Sequence, residues 1–144
     1  MDERTNSYAL AGSVEQRVPI VSDADIVVAR RCGRELASGH GFSSTDLLLI
    51  TTAISELARN IVLYARNGVI VLRGIQDHGK PGIMVTAEDQ GPGIADVDQA
   101  VRDGFSTSGN LGLGLPGVRR LMDEMQIRSE VGKGTTVTVC KWKL

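Results

Sequence analysis

Glu56 and Asn60 stand four positions apart in a segment of helical periodicity, so one helix face presents both side chains. A carboxylate and an amide oxygen at this spacing suit a magnesium nucleotide. Mg²⁺ accepts one or two protein oxygens besides phosphates and waters, and a carboxylate can orient or deprotonate an attacking hydroxyl. Solvated helix faces often carry the same pair, so the spacing alone leaves both interpretations open.

Asp89, Gly91 and Gly93 form an Asp-x-Gly-x-Gly motif at the end of a predicted strand. Alternation along that strand turns Asp89 toward the interior, where a buried carboxylate needs a hydrogen-bond donor. The exocyclic amine of adenine would supply the donor, and the glycines would let the backbone pass close to a flat base. An ordinary turn after a strand has the same composition, so the motif is a weak signal by itself.

The run from 104 to 118 is rich in glycine and serine and leads into a predicted helix. Successive backbone N–H groups in such a turn, together with the helix N-terminus, form an anion site that suits a triphosphate. Ser106, Thr107 and Ser108 add hydroxyl donors. The run matches neither a Walker A sequence nor a dinucleotide fingerprint, and a flexible linker is the alternative interpretation.

A second glycine-rich turn, Gly132-Lys133-Gly134, lies between the last two predicted strands and is followed by Thr135. Most turns of this kind only connect the strands of a hairpin. The Thr135 hydroxyl is nevertheless placed to help bind a base.

These motifs require a scaffold that gathers strand ends, a helix and two turns at one place. Hydrophobic periodicity and capping signals predict helices at 22–39, 43–67, 96–102 and 118–125, and strands at 14–21, 69–75, 83–89, 126–130 and 135–142. A mixed, mostly antiparallel sheet with helices on one face gives an α+β class, a two-layer α/β sandwich. Residues 1–144 are expected to form one domain, with a flexible N-terminus at 1–12.

Composition narrows the class of protein. The chain has 144 residues, 16 basic and 17 acidic side chains and a formal charge of -1, which removes any whole-domain electrostatic argument for nucleic acid or anionic membrane. Cys32 and Cys140 lack the spacing of a zinc site or a disulfide framework. There is neither a signal-peptide pattern nor an apolar run of about 20 residues, so we predict a cytoplasmic protein with no nucleic-acid or membrane partner.

In their order along the chain, Glu-x-x-x-Asn, Asp-x-Gly-x-Gly, Gly-Leu-Gly-Leu and Gly-x-Gly-Thr resemble the N, G1, G2 and G3 boxes of the GHKL ATPases. The resemblance covers 22–143 and implies a Bergerat fold with ATP held under a flexible lid. The sequence contains no phosphoacceptor-helix histidine and is similar to the stand-alone anti-sigma-type serine/threonine kinases. On 50–60, 88–94 and 103–108 it most resembles the stressosome switch kinases.

Roles for the motif residues follow from this resemblance. It implies that Asn60 holds Mg²⁺, that Glu56 is the catalytic base, that Asp89 receives the adenine amino group and that Thr135 supports Asp89. It also implies nucleotide contacts for Gly91, Gly93, Ile94, Ser106, Thr107, Ser108, Gly112, Leu113, Gly114 and Leu115. Of these, 106–108 would belong to the lid and 112–115 would approach the phosphates. One departure from the family pattern is the first glycine of the G2 box, which is displaced to Gly109.

The family resemblance also implies a function. Such kinases use ATP and Mg²⁺ to phosphorylate serine or threonine in STAS-domain scaffold proteins, then engage a downstream signalling enzyme, typically a phosphatase. One alternative is an ATP-dependent binding module that sequesters a regulatory partner with little phosphotransfer. A general ATPase, which would turn over ATP without any partner, is a third reading.

Overall fold

The computed structural model describes residues 8–10, 15–101 and 114–144. Helix α1 spans Asp23–Gly39, and its start is fixed as predicted, because the Asp25 carboxylate accepts a hydrogen bond from the Ser22 backbone N–H at 3.1 Å. Helix α2 spans Ser44–Asn60 and begins at a second predicted cap, where the Ser43 hydroxyl accepts from the Asp46 N–H at 3.2 Å.

Three shorter helical segments follow α2. A π-helical turn, Ile61–Ala65, continues it directly, whereas one uninterrupted helix was expected. Helix α3 is a short segment, Val97–Ala100, and helix α4 spans Gly114–Leu121. Helix α4 thus begins and ends earlier than predicted, because the chain joins the sheet directly after it: the Asp123 backbone N–H donates to the Cys140 carbonyl at 2.9 Å.

Six strands form one sheet. They are β1 (Ala9–Leu10), β2 (Gln16–Ile20), β3 (Gly68–Asp77), β4 (Lys80–Asp89), β5 (Glu124–Glu130) and β6 (Gly134–Trp142). Their order is β1-β3-β4-β6-β5, with β2 also paired to β3, and every pairing in the described residues is antiparallel. The predicted α+β class is therefore confirmed, while β1 was not predicted.

The hairpin between β3 and β4 is tighter than the sequence suggested. Asp77 pairs with Lys80, so only His78 and Gly79 remain in the turn, with φ of 51° and 79°. Two consecutive positive φ values are typical of the two-residue turn that matches the twist of antiparallel strands. Pro81 and Gly82, expected in the connector, belong to β4 instead, where Pro81 stands near the start of the strand.

The main core lies between the helices and one face of the sheet. Its fully buried side chains include Ile20, Ile50, Ile54, Leu57, Ile70, Leu72, Ile83, Val85, Val118 and Val139. Apolar residues of α2 fill the middle of this layer. Within α2, Ile50, Ile54 and Leu57 are at most 1% exposed, and Ser44–Ala65 is the one described helix long and apolar enough to cross a membrane.

A second apolar cluster covers part of the opposite face of the sheet. It contains Ile75, Met84, Cys140 and Trp142, with Tyr8 packed edge-on against the Trp142 ring. The Tyr8 hydroxyl and the Trp142 indole N–H both donate to the Glu124 carboxylate, at 2.8 Å and 2.6 Å. These bonds attach the N-terminal strand to the far side of the sheet, away from the helices.

Candidate nucleotide-binding site

Glu56 and Asn60 occupy the last turn and a half of α2, and both are half-buried. They flank the buried Leu57, so the prediction that they lie beside the apolar stripe agrees with the structure. The π-helical turn starts at the residue after Asn60, and the segment ends at Arg66 with φ of 72°. Single π-helical turns inserted in α-helices are frequent at functional sites.

Asp89 is the last residue of β4 and lies on the face of the sheet that packs against the helices, in phase with Val85 and Ala87. Its Oδ1 accepts a hydrogen bond from the Gly91 backbone N–H at 2.9 Å. This bond orients the carboxylate at the strand end. Among the described residues no hydrogen bond reaches Oδ2.

Gly91 must be a glycine because the turn after β4 lies against the π-helical turn. A Cβ at Gly91 would stand 2.7 Å from the Ala65 Cβ and 3.2 Å from Asp89 Oδ1. A second glycine, Gly68 on β3, is the cross-strand partner of Asp89 and allows a similar close approach. A Cβ at Gly68 would lie 2.9 Å from Ile61 Cγ2 and 3.2 Å from the Asp89 Cβ. Ile61 follows Asn60 directly, so the end of α2 and the end of β4 meet at one place.

The β5–β6 turn closes the other side of the Asp89 segment. Gly134 has φ of 128°, and a Cβ there would collide with the Asp89 carbonyl oxygen. The Gly132 backbone N–H donates to the Pro92 carbonyl at 2.8 Å, which holds the two turns together, and Gly93 lies against the Glu130 backbone. The predicted G1 and G3 segments are therefore in direct contact.

Thr135 is the Cα partner of Asp89 across β4 and β6, and Ser129 is the partner of Thr135 across β6 and β5. The Ser129 hydroxyl is within hydrogen-bond distance of three groups: the Ile94 N–H at 2.7 Å, the Gly134 carbonyl at 3.0 Å and the Thr135 hydroxyl at 2.8 Å. Among the described residues no hydrogen bond joins the Thr135 hydroxyl to the Asp89 carboxylate, and the two residues are linked only by the pairing of β4 and β6.

Ser129 was missed by the sequence analysis. A signal for it exists in the alternation of β5, where Met125 and Ile127 pack toward the core and Ser129 is the polar residue in phase with them. A hydroxyl on an otherwise apolar strand face needs a hydrogen-bond partner, and Ser129 finds its partners in the Gly134–Thr135 motif.

The G2 segment is only partly described. Gly114 and Leu115 are the first residues of α4, which packs on α2 and contributes the buried Val118 to the main core. Both therefore lie at a helix N-terminus on the same side of the sheet as Asp89, whereas the helix was predicted to begin only at 118. Five other predicted site residues lie outside the described residues: Ser106, Thr107, Ser108, Gly112 and Leu113.

Comparison with known proteins shows the family of this chain. Residues 21–141 match the family model described as histidine kinase-like ATPase domain. The chain is 54% identical over 125 residues to the serine/threonine-protein kinase RsbT of Bacillus subtilis, covering 87% of this chain and 94% of that protein. It is 33% identical over 103 residues to the anti-sigma F factor of Geobacillus thermodenitrificans, covering 67% of this chain and 69% of that protein.

Two solved structures share the fold. The RsbU and RsbW domains of Rv1364c from Mycobacterium tuberculosis match at 20% identity with a TM-score of 0.64, over 91% of this chain and 33% of that one. The mycobacterial sensor histidine kinase MprB matches at 15% identity with a TM-score of 0.54, over 90% of this chain and 97% of that one. The chain belongs to the histidine kinase-like ATPase family, within its branch of RsbT-type serine/threonine-protein kinases.

Proposed function

We propose that this chain transfers the γ-phosphoryl group of ATP to a serine or threonine hydroxyl of a regulatory partner protein. The observation that carries the proposal is the 54% identity to the RsbT kinase over 94% of that relative. The geometry supports it, because an oriented carboxylate at the end of β4 meets the end of the helix that carries Glu56 and Asn60.

The residues present fit a purine nucleotide. Asp89 is a half-buried carboxylate whose Oδ1 is fixed by the Gly91 N–H, and a carboxylate suits the amine of adenine. The absence of a side chain at Gly91 lets the backbone after β4 lie close against Ala65. The amide oxygen of Asn60 is an oxygen donor that fits Mg²⁺ when phosphates and waters complete its coordination, and Glu56, one helical turn away, supplies a carboxylate that can act on a hydroxyl. A bound Mg²⁺ would neutralise charge on the phosphates.

In the proposed reaction, Glu56 orients the partner's hydroxyl and accepts its proton. The hydroxyl oxygen forms a bond to the γ-phosphorus while the bond from that phosphorus to the bridging oxygen of the β-phosphate breaks, so ADP leaves with the electron pair. Asn60 would hold Mg²⁺, which would neutralise charge on the phosphates, and the backbone N–H groups of Gly114 and Leu115 at the start of α4 would stabilise the negative charge that develops in the transition state. Positioning and electrostatics supply the acceleration.

We further propose the biological setting that the family resemblance implies. The substrates are STAS-domain proteins of a stressosome, and after phosphorylation the kinase engages a downstream signalling enzyme of phosphatase or other type. The site of action is the cytoplasm, and neither nucleic acid nor a membrane is a partner. The formal charge of -1 supports the absence of a nucleic-acid or membrane partner, since the chain has no net positive charge to attract a polyanion.

Phosphate transfer can be followed directly. The protein is incubated with Mg²⁺ and γ-labelled ATP in the presence of a panel of STAS-domain proteins, with Asp89→Asn as the nucleotide-binding control. Label is expected on a serine or threonine of one panel member, and it should be missing with the control. Hydrolysis of ATP at the same rate with and without every partner would instead indicate a general ATPase.

The similarity to anti-sigma F factors supports a second candidate function, an ATP-dependent module that sequesters its partner. The two functions differ in stoichiometry. A kinase labels many partner molecules per enzyme molecule, whereas a sequestering module forms a 1:1 complex in ATP and leaves the partner unlabelled. The two functions are distinguished by measuring the mass of the complex by light scattering in ATP and in ADP, and by counting the labelled partner molecules per kinase molecule.

A further inference from the structure

The Ser129 hydroxyl is the only side-chain group in the described part of the chain that bonds to both the segment after Asp89 and the turn before Thr135. It contacts the Ile94 N–H, the Gly134 carbonyl and the Thr135 hydroxyl at 2.7, 3.0 and 2.8 Å. A serine hydroxyl has one proton to donate and two lone pairs to accept with. Three partners therefore use its whole capacity.

The chemistry of these partners fixes the direction of each bond. The Gly134 carbonyl can only accept, so the Ser129 proton points to it. The Ile94 N–H can only donate, so it occupies one lone pair of the Ser129 oxygen. The second lone pair is left for Thr135, which must donate its own proton to Ser129. Thr135 then has no proton for any other group.

This direction determines what the site offers to a ligand. Thr135 presents only lone pairs, and Asp89, its cross-strand partner, presents only the lone pairs of Oδ2, since Oδ1 is held by the Gly91 N–H. Both side chains lie on the helix-facing side of the sheet, at the same strand ends. The row Asp89, Thr135, Ser129 thus forms an edge that accepts hydrogen bonds and cannot donate any from its two ligand-facing oxygens.

We propose that Ser129 is a positioning residue for nucleotide specificity: by taking the Thr135 proton it keeps the base site acceptor-only, which selects 6-aminopurine over 6-oxopurine triphosphates. The inference rests on the proposed nucleotide site at Asp89. An amine at position 6 of the purine donates a hydrogen bond to such an edge, directly or through a water. A 6-oxo group is itself only an acceptor, so it cannot form a hydrogen bond with the acceptor oxygens of Asp89 and Thr135. Polar groups left unpaired in a half-buried site of this kind cost more than a lost contact.

A merely structural role for Ser129 makes a different prediction. If the hydroxyl only ties the Ile94 loop to the β5–β6 turn, its removal loosens the site for every purine nucleotide alike. If it sets the direction of the Thr135 proton, its removal lets that hydroxyl rotate and donate to a 6-oxo group. The ratio of affinities for ATP and ITP therefore distinguishes the two roles.

The test measures the affinities of Mg-ATP and Mg-ITP by calorimetry for the wild type, Ser129→Ala, Ser129→Thr and Ser55→Ala. Ser55 is the matched control, a half-buried serine whose hydroxyl donates to the Thr51 carbonyl within α2. We expect Ser129→Ala to lower the ATP:ITP preference by about threefold to tenfold, the value of one neutral hydrogen bond. Ser129→Thr keeps a hydroxyl and should restore the preference, and Ser55→Ala should leave it unchanged.

The outcomes separate the two proposals. Failure of the wild type to bind ATP would overturn the proposed nucleotide site itself. ATP binding by the wild type with an equal loss of ATP and ITP affinity in Ser129→Ala would overturn the specificity role alone. If Ser129→Ala does not fold, Ser129→Cys serves instead: its thiol is a weak donor and acceptor, so the preference should fall in part, and an unchanged preference would contradict the inference.

Discussion

Asp89 and Thr135 face each other across β4 and β6, and the row they form continues to Gly68 on β3 and to Ser129 on β5. Three adjacent strands thus each carry a polar residue at the same edge of the sheet, on the face that otherwise forms the apolar wall of the core. The remaining member of the row is a glycine, which leaves room for Ile61 and for the Asp89 Cβ. These four residues, which come from four different strands, thereby define one edge of the proposed site.

Asp89→Asn should weaken ATP binding strongly without unfolding the protein. The amide keeps the shape of the side chain but loses the charge, and its NH₂ group would oppose the amine of adenine. Hydrogen bonds to charged groups are worth about 1.5–3 kcal/mol, so affinity should fall by roughly 10- to 100-fold. Calorimetric titration with Mg-ATP checks this. Asp77→Asn is the control, since Asp77 is an exposed aspartate at the opposite end of the same β3–β4 hairpin.

Glu56→Ala should separate binding from chemistry. Glu56 lies one helical turn from Asn60, and in the proposed mechanism it acts on the partner's hydroxyl. Transfer to the partner should fall by something like 10²-fold or more, while affinity for Mg-ATP stays within about threefold. Single-turnover transfer and nucleotide titration provide the two readouts. The exposed Glu35→Ala on α1 serves as the control, and undiminished transfer by Glu56→Ala would remove this residue from the mechanism.

Stability should depend weakly on pH through Glu15. Hydrogen bonds from Arg17 and then Arg73 hold the pKa of its carboxyl below the ordinary value of 4.5. A lowered folded-state pKa gives stability that is present above the unfolded pKa and lost as the pH falls through the folded value. The wild type should therefore exceed Glu15→Gln in stability at pH 7, and the difference should shrink below pH 4.5.

Urea unfolding at pH 7, 5, 4 and 3, at low and high salt, measures this difference. Because the group is exposed, the effect should be small and should weaken in salt. A difference that stays constant from pH 7 to pH 3 would show that the arginines contact Glu15 without affecting its titration.

Local signals predicted much of this fold. Ser22 with Asp25 and Ser43 with Asp46 identified two helix starts, because capping depends on neighbours within a few residues. Strand alternation placed Asp89 on the inner face for a similar reason. The predicted start of α4 at 118 was wrong: the helix begins four residues earlier, at Gly114, because packing against α2 decides how much of the glycine-rich run becomes helical.

The parts that were missed depend on strand register. Nothing near Ser129 indicates that it will stand beside Thr135, because that pairing is fixed only when β5 and β6 align. The π-helical turn after Asn60 likewise follows from tertiary contacts, including the approach of Ala65 to Gly91. Family resemblance supplied the roles of Glu56, Asn60 and Asp89, which the spacing of these residues left open.

Gly134→Ala should be far more damaging than Gly132→Ala, although both glycines lie in one turn and have positive φ values of 128° and 83°. At Gly132 an added Cβ meets nothing within 4 Å, so only backbone strain of about 1 kcal/mol is expected. At Gly134 the Cβ would also strike the Asp89 carbonyl and press on the Gln90 Cα, 2.8 Å away. We expect a loss of about 2–4 kcal/mol there, as overpacking adds to strain.

The displaced group at Gly134 is the backbone of the proposed adenine residue, so the variant should lose nucleotide affinity as well as stability. Urea unfolding gives the first quantity, and Mg-ATP titration at a temperature where both variants are folded gives the second. Equal losses for the two substitutions would mean that the turn relaxes away from Asp89 at little cost. A large loss of stability with unchanged ATP affinity would mean that the Asp89 carboxylate holds its position independently of the β5–β6 turn.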